Sequence, residues 1–140
     1  DTIRRICAPM LALSDIVMPS EAEAQALTGK EDPLEAGREL LRHGAEIVVI
    51  KMGEKGSMLI TKEGVLREPA YDVEEVDPTG AGDVFDGAFV VGLLRGWELR
   101  RCLEFANAAG AIKVMNFGPM EGPRSMDEVL QFMKRAKKRD

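Results

Sequence analysis

The sequence predicts an α/β fold with a partly parallel sheet and an antiparallel hairpin edge. The apolar run SDIVMP, typical of a strand, is followed by two helix-like segments and then by the β-branched run AEIVVIKMG. This strand–helix–helix–strand order favours parallel pairing of the two strands. Two glycine turns, EKG and KEG, then separate the apolar segments SMLIT and VLREPA, and such turns favour antiparallel hairpins.

The predicted helices begin and end at recognisable signals. SEAEAQALTG has a capping serine and a final glycine, and DPLEAGRELLRHG has Asp32 as cap and Pro33 at its first helical position. GAGDVFDGAFVVGLLRG and ELRRCLEFANAAGAIKVMNFG are predicted as longer helices, the second ending near Met115. PRSMDEVLQFMKRAKK is predicted as the last helix, with Ser125 as cap and Glu128 three residues later.

Three segments are less regular. TIRRICAPMLAL has a broken helical periodicity, and we expect Pro9 to interrupt it. YDVEEV alternates weakly and is interpreted as a further strand. The basic end KRAKKRD is interpreted as a solvated helix end, where cations suit the helix dipole, rather than as a functional patch.

The composition argues against several classes of function. The 140 residues are 45% hydrophobic and 31% charged, as in an ordinary globular domain, and the net charge of −5 is unsuited to nucleic acid. No apolar run approaches the roughly 18 residues of a membrane span. Cys7 and Cys102 lie far apart, without disulfide or zinc spacing. We therefore expect a cytoplasmic protein with no nucleic-acid and no membrane partner.

The stretch DPTGAGDVFDGAF places glycines and acids at the start of a helix. Backbone N–H groups at a helix N-terminus favour anions, and small residues let an anion approach them closely. The turn matches neither GxxxxGK[ST] nor GxGxxG in a dinucleotide-binding context. Asp83 follows directly, where a carboxylate suits proton acceptance from an attacking hydroxyl in phosphoryl transfer.

The residues alone leave two interpretations of this stretch open. In one, the turn binds an anion and Asp83 is a base. In the other, a glycine turn only caps a buried helix, and Asp83 is an ordinary acid of the first turn. Asp86, three residues on, either faces the same cleft or caps locally.

The pattern as a whole resembles the ribokinase-like (PfkB) carbohydrate kinase family. DPTGAGDVFDGAF resembles its C-terminal signature, and SDIVMPSEAEAQALTG resembles its strand and Asn-x-x-Glu helix start. IVVIKMGEKGSMLI resembles its nucleotide-side strand and Gly-x-x-Gly turn, and FANAAGAIKVMNFG the helix that borders the adenine. The resemblance implies the C-terminal portion of a three-layer α/β/α sandwich. Residues 1–140 would be the nucleotide-binding and catalytic part of a carbohydrate kinase, with the N-terminal sugar-binding and lid part absent.

The resemblance also implies an activity and its catalytic residues. Members of this family are ATP-dependent kinases that phosphorylate a hydroxyl of a sugar or sugar-like small molecule. By matched position, Asp83 is the catalytic base, and the anion hole is formed by Gly80, Ala81 and Gly82. The expected partner is therefore a small-molecule sugar substrate.

The nucleotide and metal positions follow from the same match. Positions expected along ATP are Gly53, Gly56, Asn107, Ala108 and Gly118. Glu23 corresponds to the glutamate of Asn-x-x-Glu, which is linked to Mg²⁺ and phosphate placement. Asp77 and Thr79 match positions that hold a potassium ion (K⁺) in some members, together with carbonyls near Asn116 and Gly118.

Two departures from the family pattern support an alternative. Ser20 stands where the motif has asparagine, and the chain is shorter than family members. The alternative is a catalytically inactive nucleotide-binding fragment or degenerate kinase module. We expect the 140 residues alone to be inactive. Since loss of part of a shared sheet exposes an edge, we also expect a homo-oligomer.

Overall fold

The computed structural model describes residues 2–140, which fall into two compact units. The first unit comprises residues 2–52 and Ser57–Arg67, and the second comprises Gly53–Gly56 and Glu68–Asp140. Each unit has its own cluster of buried apolar side chains. The two are therefore described separately.

The order of helices and strands confirms the predicted α/β class. The helices are α1 (Thr2–Leu11), α2 (Glu21–Thr28), α3 (Pro33–Arg42), α4 (Ala81–Leu94), α5 (Leu99–Val114) and α6 (Met126–Arg135). The strands are β1 (Ile16–Val17), β2 (Ile47–Lys51), β3 (Ser57–Ile60) and β4 (Val65–Glu68). A single turn of 3₁₀ helix spans Gly53–Lys55. Within residues 2–140, none of the helices combines the length and the apolar character that crossing a bilayer requires.

The sheet has the predicted mixture of parallel and antiparallel pairing. Its strand order is β1-β2-β3-β4. β1 and β2 are parallel, with Ile16 opposite Ile47, because α2 and α3 form the crossover between them. β2 and β3 are antiparallel, with Lys51 opposite Ser57 at the turn end. The strand–helix–helix–strand pattern thus correctly predicted where the parallel pair lies.

The second unit is built on the close packing of α4 against α5. Gly92 of α4 is buried, and a Cβ there would lie 2.8 Å from the Sγ atom of Cys102 on α5. The glycine is therefore required for the two helices to approach this closely. Phe105 and Ile112 of α5 join the core that also contains Phe132 of α6.

Two local predictions were wrong, and a third is confirmed only in part. Pro9 does not interrupt the first helix, which continues through it and ends two residues later at Leu11. YDVEEV forms no strand, because its backbone pairs elsewhere: Tyr71 bridges Lys138, and the Val76 amide donates to the Val114 carbonyl. The prediction for the basic end is confirmed only in part. Two of its basic residues lie in the last turn of α6 as predicted, whereas the residues after Arg135 lie outside the helix. Of these, Lys138 and Arg139 form ion pairs with acidic side chains.

Candidate active site

The N-terminus of α4 presents unpartnered backbone donors. Its N-cap is Gly80, which has a left-handed φ of 81° and makes no side-chain capping bond. The Ala81 amide donates to the Pro78 carbonyl oxygen at 3.1 Å and so closes the turn. The amides of Gly82 and Asp83 have no hydrogen-bond partner among residues 2–140. Of the predicted anion hole, the geometry therefore favours the Gly82 and Asp83 donors over that of Ala81.

Asp83 is the third residue of α4, and its side chain is exposed. It lines a cavity of about 520 Å³, together with Gly80 and residues of the 119–126 segment. The carboxylate thus lies directly beside the unpartnered amides and faces an opening large enough for a small molecule. Asp86, one turn on, is half-buried and already has interaction partners. Of the two acids, only Asp83 lines the cavity, and its role as a base stays a prediction.

The turn before α4 is held by the carboxylate of Asp77. This carboxylate accepts hydrogen bonds from the backbone N–H of Thr79 at 3.0 Å and of Gly118 at 2.8 Å. These two amides, first that of Thr79 and then that of Gly118, lower the pKa of Asp77 to about 2. The ionised side chain therefore ties the turn to the loop that follows α5.

The same loop packs directly on Gly80. A Cβ atom at this position would overlap the backbone carbonyl oxygen of Pro119. The left-handed φ and this close approach both require glycine. The conformation of the predicted anion hole thus depends on the loop after α5 as well as on its own sequence.

Lys113 lies beneath this junction and was missed by sequence reasoning. Its side chain is completely buried, and its ammonium group donates to the carbonyl oxygens of Asp77 at 2.9 Å and Asn116 at 3.1 Å. The available signal was a lone charge in the apolar run AAGAIKVM, at a position on α5 where neighbouring side chains are buried. A buried cation must find acceptors, and here both are backbone carbonyls.

The predicted nucleotide turn packs against the end of β4. Gly56 is buried with a φ of 91°, and a Cβ there would overlap the Glu68 carbonyl oxygen. Asn107 is buried on α5 and donates its side-chain amide to the carbonyls of Glu68 at 3.2 Å and Pro69 at 3.3 Å. Both residues therefore have a structural role in fixing this segment, and their contact with a nucleotide stays a prediction.

The other predicted nucleotide positions differ in accessibility. Gly53 is exposed, with a φ of 57° and open space where a Cβ would be. Ala108 is completely buried and belongs to the hydrophobic core against which α5 packs, not to an accessible surface. Gly118 has a φ of 105° and donates its N–H to Asp77. Gly53 is thus the position best placed for a backbone approach by a ligand.

In the first unit, Glu23 belongs to a capping box at the start of α2. The Ser20 amide donates to Oε2 of Glu23 at 2.7 Å, and the Glu23 amide donates to the Ser20 hydroxyl at 3.2 Å. The first of these bonds is the main cause that lowers the pKa of Glu23. The carboxylate is therefore ionised at neutral pH, and one of its oxygens is committed to the cap.

Magnesium fits a single exposed carboxylate of this kind. Mg²⁺ is usually bound by one or two carboxylates, nucleotide phosphates and waters rather than by an all-protein cage. Residues 2–140 contain no cluster of three or more histidine, cysteine or acidic side chains arranged for a metal. Glu23 remains a prediction as the magnesium-linked residue.

Comparison with known proteins places the chain in a family. Residues 3–125 match the pfkB family of carbohydrate kinases. The chain is 34% identical over 133 residues to ribokinase of Haemophilus influenzae, covering 91% of this chain and 43% of the relative. The chain therefore belongs to the pfkB carbohydrate kinase family. It spans about two fifths of the length of the curated relatives that it matches.

Solved structures agree on the fold. A putative ribokinase II from E. coli in complex with ATP and Mg²⁺ superposes with a TM-score of 0.89 at 38% identity, over 96% of this chain and 44% of that one. A fructokinase variant from Vibrio cholerae, bound to fructose, ADP and a potassium ion, gives a TM-score of 0.86 at 25% identity. That match covers 94% of this chain and 44% of the fructokinase. The ribokinase-like fold predicted from the sequence is confirmed.

Proposed function

We propose that the protein transfers the γ-phosphoryl group of ATP to a hydroxyl of a sugar or sugar-like small molecule, with Asp83 as general base. The observation that carries this proposal is the arrangement at the start of α4. An exposed carboxylate follows two unpartnered amides and faces a cavity of about 520 Å³. Family membership supports the class of reaction.

The chemistry assigned to these groups is simple. The hydroxyl oxygen of the acceptor forms a bond to the γ-phosphorus of ATP while Asp83 accepts the hydroxyl proton. The bond between the γ-phosphorus and the β-phosphate oxygen breaks, and ADP is released. The Gly82 and Asp83 amides, at the positive end of α4, stabilise negative charge on the transferred group. The left-handed Gly80 and the Ala81–Pro78 turn hold these amides in position.

The remaining predicted residues complete the proposal. Gly53 and Gly56 lie along the nucleotide, and Asn107 and Ala108 border its adenine. Gly118 supports the turn that precedes α4. Glu23 takes part in placing Mg²⁺, which neutralises charge on the ATP phosphates when bound. The ATP and Mg²⁺ complex of the E. coli relative supports these two ligands.

The test is an acceptor screen on the full-length protein with ATP and Mg²⁺. A pentose, a hexose, a sugar acid and a nucleoside are each supplied, and ADP release is measured with and without acceptor. We expect at least one acceptor to raise ADP release well above the acceptor-free rate. ATP binding by calorimetry without acceptor-dependent turnover would instead support the nucleotide-binding module without activity, for which Ser20 in place of asparagine is the motivating residue.

Two further predictions belong to the same proposal. We expect a homo-oligomer, measurable by light scattering, and a cytoplasmic location, measurable by fractionation of cells. The exposed apolar side chains of the first helix, Ile3, Ile6 and Met10, are candidates for burial by further protein surface.

A further inference from the structure

We propose that the ammonium group of Lys113 is a built-in monovalent cation for the turn that precedes α4. This inference rests on the proposed kinase function and concerns the positioning of the anion hole. Lys113 does not line the cavity, so it is a positioning residue rather than a catalytic one. The consequence is a kinase that needs no potassium ion.

The carbonyl oxygens that would hold a cation already have a hydrogen-bond donor. Backbone carbonyl oxygens are typical ligands of K⁺ in proteins. In the family resemblance, Asp77 and Thr79 match positions that hold K⁺ in some members, together with carbonyls near Asn116 and Gly118. Here the carbonyl oxygens of Asp77 and Asn116 accept hydrogen bonds from Lys113 at 2.9 Å and 3.1 Å. Both are thereby engaged by a cation that the chain itself supplies.

Lys113 is buried. The Lys113 side chain has no exposed surface, so its charge cannot be satisfied by bulk water. A compact ammonium with three donors resembles a potassium ion in charge and in its demand for oxygen ligands. A second cation at the same carbonyls would be repelled by it at short range. The residues present therefore do not fit a bound K⁺.

Hydrogen bonds connect Lys113 to the predicted anion hole through Asp77. Lys113 holds the Asp77 carbonyl, while the Asp77 carboxylate accepts from the amides of Thr79 and Gly118. The next residue after Thr79 is Gly80, which packs on the Pro119 carbonyl. One ammonium group thus joins the segment before α4 to the loop after α5, at the point where the helix N-terminus is set.

The experiment compares chloride salts of potassium, sodium and tetramethylammonium at equal ionic strength, using the full-length protein with ATP, Mg²⁺ and its acceptor. We expect the unmodified protein to turn over at the same rate in all three salts. Lys113→Ala removes the ammonium and opens space for an ion. We expect its turnover in tetramethylammonium to fall about 100-fold, mainly in kcat rather than in the KM for ATP, because the anion hole is misplaced. Potassium should restore part of this loss.

The matched control is Lys62→Ala, which removes an exposed lysine from the turn between β3 and β4. It should match the unmodified protein in every salt. A general structural defect in Lys113→Ala would lower activity equally in all salts, whereas loss of a built-in cation makes activity depend on the added ion. Full activity of Lys113→Ala in tetramethylammonium, or equal loss in all salts, would overturn the proposal. So would a potassium requirement in the unmodified protein.

Thermal unfolding provides a readout that does not need turnover. Because an ion that binds only the folded state raises the melting temperature, potassium should stabilise Lys113→Ala and leave the unmodified protein unchanged relative to tetramethylammonium. If no acceptor is phosphorylated, the proposed kinase function fails. The melting curves still test whether Lys113 replaces a potassium ion, because they need no turnover. If Lys113→Ala does not fold, the unmodified protein alone is compared in the two salts. A higher melting temperature in potassium than in tetramethylammonium contradicts the proposal, and equal melting temperatures support it.

Discussion

The first turns of α2 and α4 differ in how their unpaired backbone N–H groups are satisfied. At α2, the side chains of Ser20 and Glu23 satisfy backbone amides reciprocally. At α4, Gly80 offers no side chain, and the amides of Gly82 and Asp83 are left without a partner among residues 2–140. A helix start that uses its own side chains gains stability, whereas one that leaves donors open gains a place for an anion.

The largest expected effect is on the open helix start. Asp83→Asn in the full-length protein should lower turnover by about 10²–10⁴-fold, because the amide cannot accept the proton of the acceptor hydroxyl. Circular dichroism should show an unchanged fold, since the side chain is exposed. Asp127→Asn, which changes an acid in the first turn of α6, is the matched control and should retain full turnover. Near-normal turnover of Asp83→Asn would remove Asp83 from the mechanism.

The next effect concerns the glycine that makes this open start possible. Gly80→Ala should lower the free energy of unfolding by about 2–4 kcal/mol, since it adds left-handed strain and a clash with Pro119. Gly96 has a similar φ of 70° but open space around a Cβ. Gly96→Ala should therefore cost only about 1–2 kcal/mol. Equal costs in denaturant titrations would show that the Pro119 contact contributes nothing.

A smaller effect should separate the two roles of Glu23. Glu23→Gln keeps a side chain that suits the capping box but removes the charge. We expect the fold to be retained and the Mg²⁺ concentration for half-maximal activity to rise about tenfold, as when a group supporting a metal is lost. Glu21→Gln, in the same first turn, provides the control. An unchanged Mg²⁺ dependence would leave Glu23 with the cap alone.

The smallest effect is a pH dependence of stability. Because two amides lower the pKa of Asp77 to about 2 from its ordinary 3.8, the ionised form stabilises the folded state. This contribution is complete above the ordinary pKa and is lost as the pH falls from about 4 towards 2. Urea titrations should therefore show the unmodified protein exceeding Asp77→Asn in stability by a margin that narrows over this range. A margin that widened in acid would contradict the assignment.

Local sequence patterns predicted most of the fold because most element boundaries are locally encoded. The Ser125 cap and the end of α5 near Met115 agree with the structure. YDVEEV was misassigned because its pairing is non-local: Tyr71 bridges Lys138, far along the chain. A weak alternation carries no information about such a partner.

In the candidate site, too, features encoded by neighbouring residues were predicted, and a contact between distant residues was not. Glycines and an acid in sequence located the start of α4, since adjacency alone places Asp83 beside the turn. Lys113 was not predicted as part of the site because lysines are ordinarily exposed. The carbonyl oxygen of Asp77 that accepts its hydrogen bond is also 36 residues away in the sequence. The potassium site was predicted from matched positions alone, and these do not include Lys113 of α5, whose ammonium group donates to the Asp77 carbonyl.

The basic end of the chain has a consequence for interpreting genetic variants. Lys138 forms ion pairs with Glu68 and Glu104, and Arg139 forms one with Glu54 in the Gly53–Lys55 turn. The Arg139 amide also donates to the Ala70 carbonyl. Substitution of Arg139 would remove its ion pair with Glu54 and so release one contact of the predicted nucleotide turn. A missense variant at Arg139, although it lies outside any helix or strand, should therefore be assessed for an effect on this turn.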